Sequence, residues 1–210
     1  MIALRDVEPR DRETVAAAAA LHVKAFPGFF LPRLGPSFLR TLYTGYAEDA
    51  ESGLTVAERD GRMVGFMAWS RDYSRFYRGL IRRHLAQFGW CSFCAVLRHP
   101  SFAKRLLRAF RKSDEVARTE KYVELASICA DPEAGRTGVG SALIANLKER
   151  TDFTDCAYIS LETDAEDNEA ANRFYRKNGF RLARRYTTPE GRAMNEYRYA
   201  PEVQDETLVP

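Results

Sequence analysis

The sequence is poor in the residues that would tie it to an oxidising compartment, a metal or a bilayer. Its four cysteines, Cys91, Cys94, Cys129 and Cys156, are spread over 210 residues. That is too thin a set for a disulfide scaffold, so a reduced, cytoplasmic setting is expected. Cys91-x-x-Cys94 has no second pair and sits in an aromatic run, where helical spacing makes it core rather than a zinc or redox pair. His22, His84 and His99 form no ligand pattern, and no metal is expected. No run of about 18 uncharged apolar residues occurs, which argues against a spanning helix. Met1 to Arg12 is charged and has no apolar centre, so no secretory leader is expected. Low-complexity tracts and internal repeats are absent too. What remains is a globular composition, 45% hydrophobic and 29% charged, that fits one domain over 1–200 with a loose tail over 201–210.

One further absence is local. From Arg71 to Lys112 the only acid is Asp72, against eleven arginines and lysines. The segment therefore carries +10 in a chain whose total is +3.

Hydrophobic periodicity orders the rest. Ile2 to Val7 reads as a strand, and a helix runs from Pro9–Glu13 to about Phe26. Pro27-Gly28 breaks the chain, Phe29 to Leu34 reads as a link, and Gly35-Pro36-Ser37 opens a second helix. Asp60-Gly61 between two apolar runs predicts a hairpin of 54–58 with 63–70. Residues 71–115 read as helical, broken near His99-Pro100. A strand over 122–130, a glycine-rich turn, a helix over 138–150, a strand over 158–163, a helix over 169–178 stopped by Gly179, and a final strand pair (180–186, 194–199) complete a mixed α/β order.

The turn Asp131-Pro132-Glu133-Ala134-Gly135-Arg136-Thr137-Gly138-Val139-Gly140-Ser141 lies between an apolar strand and an apolar-striped helix. Glycines allow close backbone approach and positive φ. A helix start offers free N–H donors and partial positive charge, so the turn suits a pyrophosphate. The glycines do not follow G-x-G-x-x-G, and no Gly-Lys-Ser/Thr makes a P-loop. A plain glycine-rich connection is the alternative reading of the turn taken alone.

Ile128-Cys129-Ala130-Asp131-Pro132 followed by Gly138-Val139-Gly140 resembles the GNAT N-acetyltransferases, in which a strand and a proline precede R/Q-x-x-G-x-G/A at a helix start. Asn168-x-x-Ala171-x-x-x-Tyr175-x-x-x-Gly179-Phe180 matches a second segment of that family at every marked position. One departure stands out: Gly135 occupies the usual Arg/Gln position, and Arg136 falls one place later. The resemblance implies an α/β, single-domain GNAT (acyl-CoA N-acyltransferase) fold. Its central sheet would be mixed and mostly antiparallel, flanked by helices, with 71–120 a basic helical insertion. It implies acetyl-CoA as cosubstrate. Backbone groups of Ile128, Cys129 and Ala130 would hold the pantetheine arm. The N–H groups of Arg136, Thr137, Gly138, Val139, Gly140 and Ser141 would hold the pyrophosphate. Asn168 and Ala171 would border the coenzyme.

An amine attacks a thioester only when unprotonated, and a lysine-like amine is free about once in 10³–10⁴ molecules at neutral pH. A general base and an acid at the departing sulfur therefore help. From the residues alone Tyr175 reads as a packing tyrosine beside Phe174; the resemblance makes it the proton donor. Glu124, eleven residues before Gly135, has the spacing of the glutamate base in the histone acetyltransferase branch. Its other readings are an outward polar strand residue, or a site whose proton leaves through water. Cys129 reads as a small buried residue rather than a nucleophile, which favours direct transfer.

The expected activity is acetyl transfer to a primary amine of a small molecule, with a nucleotide-linked amino sugar as the preferred acceptor. A protein N-terminus or lysine is the enzymatic alternative, and a non-catalytic acyl-CoA-binding or membrane-associated regulatory domain the alternative of another class. The basic segment 71–112 reads as a lid with a solvated face, an anionic-acceptor site, or a contact with an anionic membrane surface. No nucleic-acid module is present, and a monomer or homodimer is expected.

Overall fold

A computed structural model describes residues 1–27, 29–98, 120–135 and 137–201, with backbone alone over 91–98. The expected second basic helix around Phe102–Lys112, the break at His99-Pro100, Arg136 and most of the expected tail lie outside the described residues, as do the side chains of Cys91 and Cys94.

Seven strands form one sheet in the order β1-β2-β3-β4-β5-β7-β6. They are β1 (Ala3–Asp6), β2 (Ser52–Arg59), β3 (Arg62–Ser70), β4 (Tyr122–Ala130), β5 (Tyr158–Asp164), β6 (Arg181–Thr187) and β7 (Ala193–Tyr199). Only β4 and β5 run parallel; every other pairing is antiparallel. The β2–β3 hairpin closes at Asp60 and Gly61 with φ of 52° and 73°, as a tight hairpin turn demands.

Alternation along β2 and β3 sends side chains to two cores. Leu54, Val56, Phe66 and Ala68 join one cluster, and Ala57, Met67 and Trp69 join the other. The first core is closed by α1 (Arg12–Ala25), α2 (Phe30–Arg33), α3 (Pro36–Glu48) and α4 (Tyr73–Arg98). The second is closed by α5 (Val139–Arg150), together with Phe174 and Tyr175 of α6 (Glu169–Lys177). Helix α1 starts where Asp11 accepts the Thr14 N–H at 3.0 Å, a side-chain N-cap. In α3, Phe38, Leu39, Leu42, Tyr43 and Tyr46 are buried at helical spacing. The stretch read as a link contains one helical turn, α2, whose following Leu34 is buried.

Helix α4 differs from the expectation of one break near His99. It runs to Arg98 with a kink at His84 (φ −117°, ψ 23°). There the imidazole lies 2.9 Å from Gln87 Oε1 and 3.3 Å from Glu48 Oε2. Helix α4 is also built into the core: Phe76 stacks on Tyr46 at 4.1 Å and Phe88 meets Phe38 at 4.9 Å. Arg75, Arg78, Arg82 and Arg83 remain exposed. No helix among the described residues is long and apolar enough to cross a membrane.

Helix α5 seats on the sheet through Gly65. A Cβ there would lie 2.5 Å from Val139 Cγ1 and 2.8 Å from the Cys129 carbonyl oxygen. Gly65→Val should therefore push α5 off β3 at an overpacking cost of about 1–3 kcal/mol. Thermal unfolding should show a fall of about 2–12 °C at this chain length; an unchanged melting point would refute the close contact.

Candidate active site

The sheet opens in its middle. β4 and β5 pair over three rungs only, Tyr122 with Tyr158, Val123 with Ile159 and Glu124 with Ser160. Beyond Glu124, β4 stays with β3 as far as the Gly65–Ala130 rung. β5 stays with β7 as far as Asp164–Met194. The two strands thus part, and among the described residues a stretch of each strand's edge beyond that rung has no strand beside it. A bulge marks the parting: Ala68 pairs with Ser127 but Trp69 with Leu125, leaving Ala126 as the extra residue. Bulges bend a strand and raise its twist. Backbone N–H and C=O groups on such edges need partners, so an extended chain with amide groups fits between them. Ile128, Cys129 and Ala130 line the β4 side of this wedge. Burial of the Cys129 side chain pushes its thiol up, which keeps it protonated and unlike a nucleophile.

The turn after β4 is held from three sides. Asp131 accepts the Glu133 N–H at 3.0 Å and an ion pair from Lys24 of α1 at 2.8 Å, while its own N–H reaches the Val64 carbonyl at 2.8 Å. Helix α5 then starts at Gly138, whose φ of 79° is left-handed. No side chain caps it, and a Cβ on Gly138 would meet nothing within 4 Å. The Ala142 N–H bonds Gly138 at 2.9 Å, so the N–H groups of Val139, Gly140 and Ser141 precede the first intrahelical bond and face outward. Thr137 is a correction to the expected set: its N–H is spent on the Gly135 carbonyl at 2.9 Å, and it is not a free donor. Three outward N–H groups at the positive end of a helix fit a phosphate group. This end and the wedge together suit a coenzyme with a pyrophosphate at one end and an amide-bearing arm.

Helix α6 stands beside α5 on the same face. Gly140 lies under Phe174, close enough that a Cβ would come within 2.9 Å of the ring. Asn168 precedes the first turn and donates to Thr163 Oγ1 at 2.8 Å. Ala171 is half-buried. Tyr175 packs against Phe174, Phe180 and Tyr197, with ring centroids at 5.3, 6.1 and 5.9 Å. Its hydroxyl bonds no described residue, and burial pushes the phenol up to about 12, so it holds its proton at any physiological pH.

Nothing in the sequence singled out Asn172, which anchors this helix. It is 4% exposed. Its amide donates to the carbonyls of Asp164 and Asn168 at 2.9 and 2.8 Å. Its oxygen accepts from Asn195 Nδ2 at 2.8 Å and Tyr197 Oη at 2.9 Å. One side chain thus ties α6 to β5 and β7.

Glu124 points to the opposite face. Its neighbours Val123 and Leu125 belong to the α5 core, so strand alternation turns Glu124 toward α3 and α4. Burial, and to a lesser extent the neighbouring tyrosines and the Glu124 charge, raises the phenols of Tyr46 and Tyr73. The core on this face holds no residue of β5, β6 or β7. Those strands instead present polar groups there. Glu196, fully buried, is bonded by Arg184 at 2.7 Å and Arg198 at 2.8 Å, and Ser160 lies at 3.5 Å. A second feature missed in sequence is a buried chain from His22 through Tyr43 Oη (2.5 Å) to Ser127 Oγ (3.4 Å) beside the bulge. Burial holds His22 down to about 4, hence neutral.

A cavity of about 360 Å³ opens at the C-terminal end of β5, lined by Phe29, Asp164, Glu166, Asp167, Asn168 and Arg192, among others. Arg192 is forked onto Asp164 at 2.7 and 2.8 Å and lies over the Phe29 ring at 5.9 Å. Arg192 and Asp164 thus neutralise each other and Glu166 is held by Arg185 at 2.6 Å, which leaves Asp167 as the lining acid with no arginine on it among the described residues.

Residues 17–180 match the family model described as "Acetyltransferase (GNAT) family". No curated protein matches the sequence. Among solved structures, the ribosomal-protein-S18-alanine N-acetyltransferase of Escherichia coli superposes with a TM-score of 0.58 at 16% identity, covering 100% of both chains. A polyamine N-acetyltransferase of Drosophila melanogaster gives 0.58 at 12%, covering 95% of this chain and 99% of that one. The PaiA N-acetyltransferase of Thermoplasma acidophilum, solved with coenzyme A, gives 0.56 at 15%, covering 95% and 99%. At these identities the likeness is one of fold.

Asn172→Ala would remove all four bonds and leave the buried Asn195 amide and Tyr197 hydroxyl without this acceptor, while the Asn168 carbonyl keeps the backbone N–H of residue 172. Unfolding by denaturant should show a loss of at least about 2 kcal/mol; a loss below about 0.5 kcal/mol, the range of ordinary surface changes, would mean the four bonds do not anchor α6.

Proposed function

The chain belongs to the acetyltransferase (GNAT) family and is an acetyl-CoA-dependent N-acetyltransferase, and we propose that its acceptor is the primary amine of a small molecule that is itself cationic. Acetyl-CoA supplies an acetyl group as a thioester. Backbone groups of Ile128, Cys129 and Ala130 hold the pantetheine arm in the wedge. The N–H groups of Gly138 to Ser141 take the pyrophosphate, and Asn168 and Ala171 border the arm. Thr137 contributes no N–H, and Arg136 is assigned only its charge near the turn.

One observation carries the catalytic part of the reading: the strands part at the very rung that bears Glu124. An arm threaded between them ends at that residue. Glu124 takes the proton from the acceptor's ammonium. The amine nitrogen then attacks the thioester carbonyl, the C–S bond breaks as Tyr175 gives its proton to sulfur, and the second proton lost by the nitrogen returns through water to restore the phenol. The two groups act from opposite faces of the sheet, so the carboxylate does not compete for the phenol's proton. The raised phenol supports the role, since only the protonated form can donate. A buried, protonated Cys129 supports direct transfer without an acyl-enzyme.

The acceptor class rests on the cavity. A nucleotide-linked amino sugar would bring a diphosphate against Asp167 and against Asp164 and Glu166, whose arginine partners are already engaged. A cationic amine meets that lining favourably. Release of free CoA should be measured over a panel of aliphatic diamines and triamines, nucleotide-linked amino sugars, and peptides with a free N-terminus or lysine. The polyamines should lead in kcat/KM by at least about tenfold, equivalent to 1.4 kcal/mol, and lose that lead at high salt. A lead for the amino sugars or for the peptides would overturn the acceptor class.

Tyr175→Phe should cut kcat by about 10²–10⁴-fold with acetyl-CoA affinity by calorimetry unchanged. Full turnover in the variant would remove Tyr175 as the acid.

A further inference from the structure

We propose that the outward face of α4 docks the chain on a bilayer bearing anionic headgroups, its arginines on the phosphates and Leu85 and Trp90 seated at the interface. The proposal is independent of the acceptor and of the role of Glu124.

The core fixes which side of α4 turns inward. Phe76, Leu80 and Phe88 are at most 3% exposed, and the first and last of these meet Tyr46 and Phe38 of α3. Helical spacing then settles what turns outward. Arg75, Arg78, Arg82, Leu85 and Gly89 follow one another three or four residues apart, and all are exposed. Leu85 is 64% and Trp90 67% exposed, more than any other large apolar side chain of the described residues except Met1. A Cβ on Gly89 would meet nothing within 4 Å. The kink at His84 divides this face, with the arginines before it and the apolar side chains after it.

The arginines are not answered by acids. The acids of α3 and its end that adjoin α4 are taken, Asp49 by Arg83 at 3.2 Å and Glu48 by His84 at 3.3 Å. Asp72 caps the helix by accepting the Arg75 N–H at 2.9 Å, and no other acid occurs from Arg71 to Lys112. Among the described residues no carboxylate pairs with the side chain of Arg75, Arg78 or Arg82. Three such guanidiniums in a row set up a positive potential whose complement is a layer of negative charge.

The apolar half of the face selects among polyanions. A nucleic acid would engage the arginines and leave the aliphatic Leu85 in water. A second copy of this chain would set one arginine row against another. An anionic bilayer accepts both halves: headgroups meet the guanidiniums, tryptophan favours the headgroup level, and Leu85 leaves water beneath it. Since α4 is not apolar enough to cross a membrane, it would lie along the surface.

The test is sedimentation of the full chain with vesicles of phosphatidylcholine alone and with a third of it replaced by phosphatidylglycerol. Tryptophan emission is followed in parallel. The other tryptophan, Trp69, is 8% exposed, so a change in emission reports Trp90. Binding to the anionic vesicles only is expected, weakened at least about tenfold at high salt. Emission should shift to the blue, and Trp90→Phe should abolish the shift. The double variants Arg78→Glu/Arg82→Glu and Leu85→Ser/Trp90→Ser should each weaken binding at least about tenfold with parental melting points, as exposed positions allow. Should charge reversal lower the melting point, Arg78→Gln/Arg82→Gln should still weaken binding by about threefold or more. No binding to anionic vesicles at low salt overturns the proposal, as does binding that either arginine variant leaves intact or that leaves Trp90 emission unmoved. Tighter binding to a short DNA duplex, undiminished in Leu85→Ser/Trp90→Ser, overturns it in favour of a nucleic-acid site.

Discussion

The site depends on a parting of two parallel strands. β4 and β5 hold each other for three rungs and then follow different partners, β4 its antiparallel neighbour β3 and β5 its neighbour β7. Leaving a backbone donor or acceptor unpaired out of water costs about 1–3 kcal/mol. The open edges are therefore a standing demand for a chain with amides of its own. The bulge at Ala126 bends β4 away, and Gly65 lets α5 press its first turn against the same end of the strand. Without either, the edge and the helix start would not face one ligand together.

The sheet then separates two kinds of chemistry by its faces. On the α5 and α6 side lie free helix N–H groups and a phenol raised by burial. On the α3 and α4 side lie Glu124, tyrosines of both helices and a polar floor from β5 and β7. Pairs of titratable groups in contrasting environments keep different protonation states at one pH. Here Glu124 and the phenol of Tyr175, raised by burial, stand on opposite faces of one wedge.

Charge follows a similar division. Arg75, Arg78, Arg82 and Arg83 of α4 are on the exterior, while the cavity at the end of β5 keeps one acid, Asp167, with no arginine on it among the described residues. The segment read as a basic insertion is, in its first turns, core structure: Phe76 and Leu80 are as buried as any strand residue.

By itself the sequence determined what is local. Asp60-Gly61 announced its hairpin, and Pro132 to Gly140 announced a strand end, a turn and a helix start. Asn168 to Phe180 announced a helix with Tyr175 upon it. These are legible because φ preference, capping and helical spacing act over a few residues. Only the tertiary structure decided the rest. Asn172 gains its meaning from Tyr197, 25 residues away. His22 and Tyr43 gain theirs from Ser127, which is 84 residues from Tyr43. The loss of Thr137 as a donor, the kink at His84 and the face to which Glu124 turns follow from hydrogen bonds and strand register that no periodicity encodes. Pairing across the chain fixes register, and a bulge of one residue shifts every side chain beyond it.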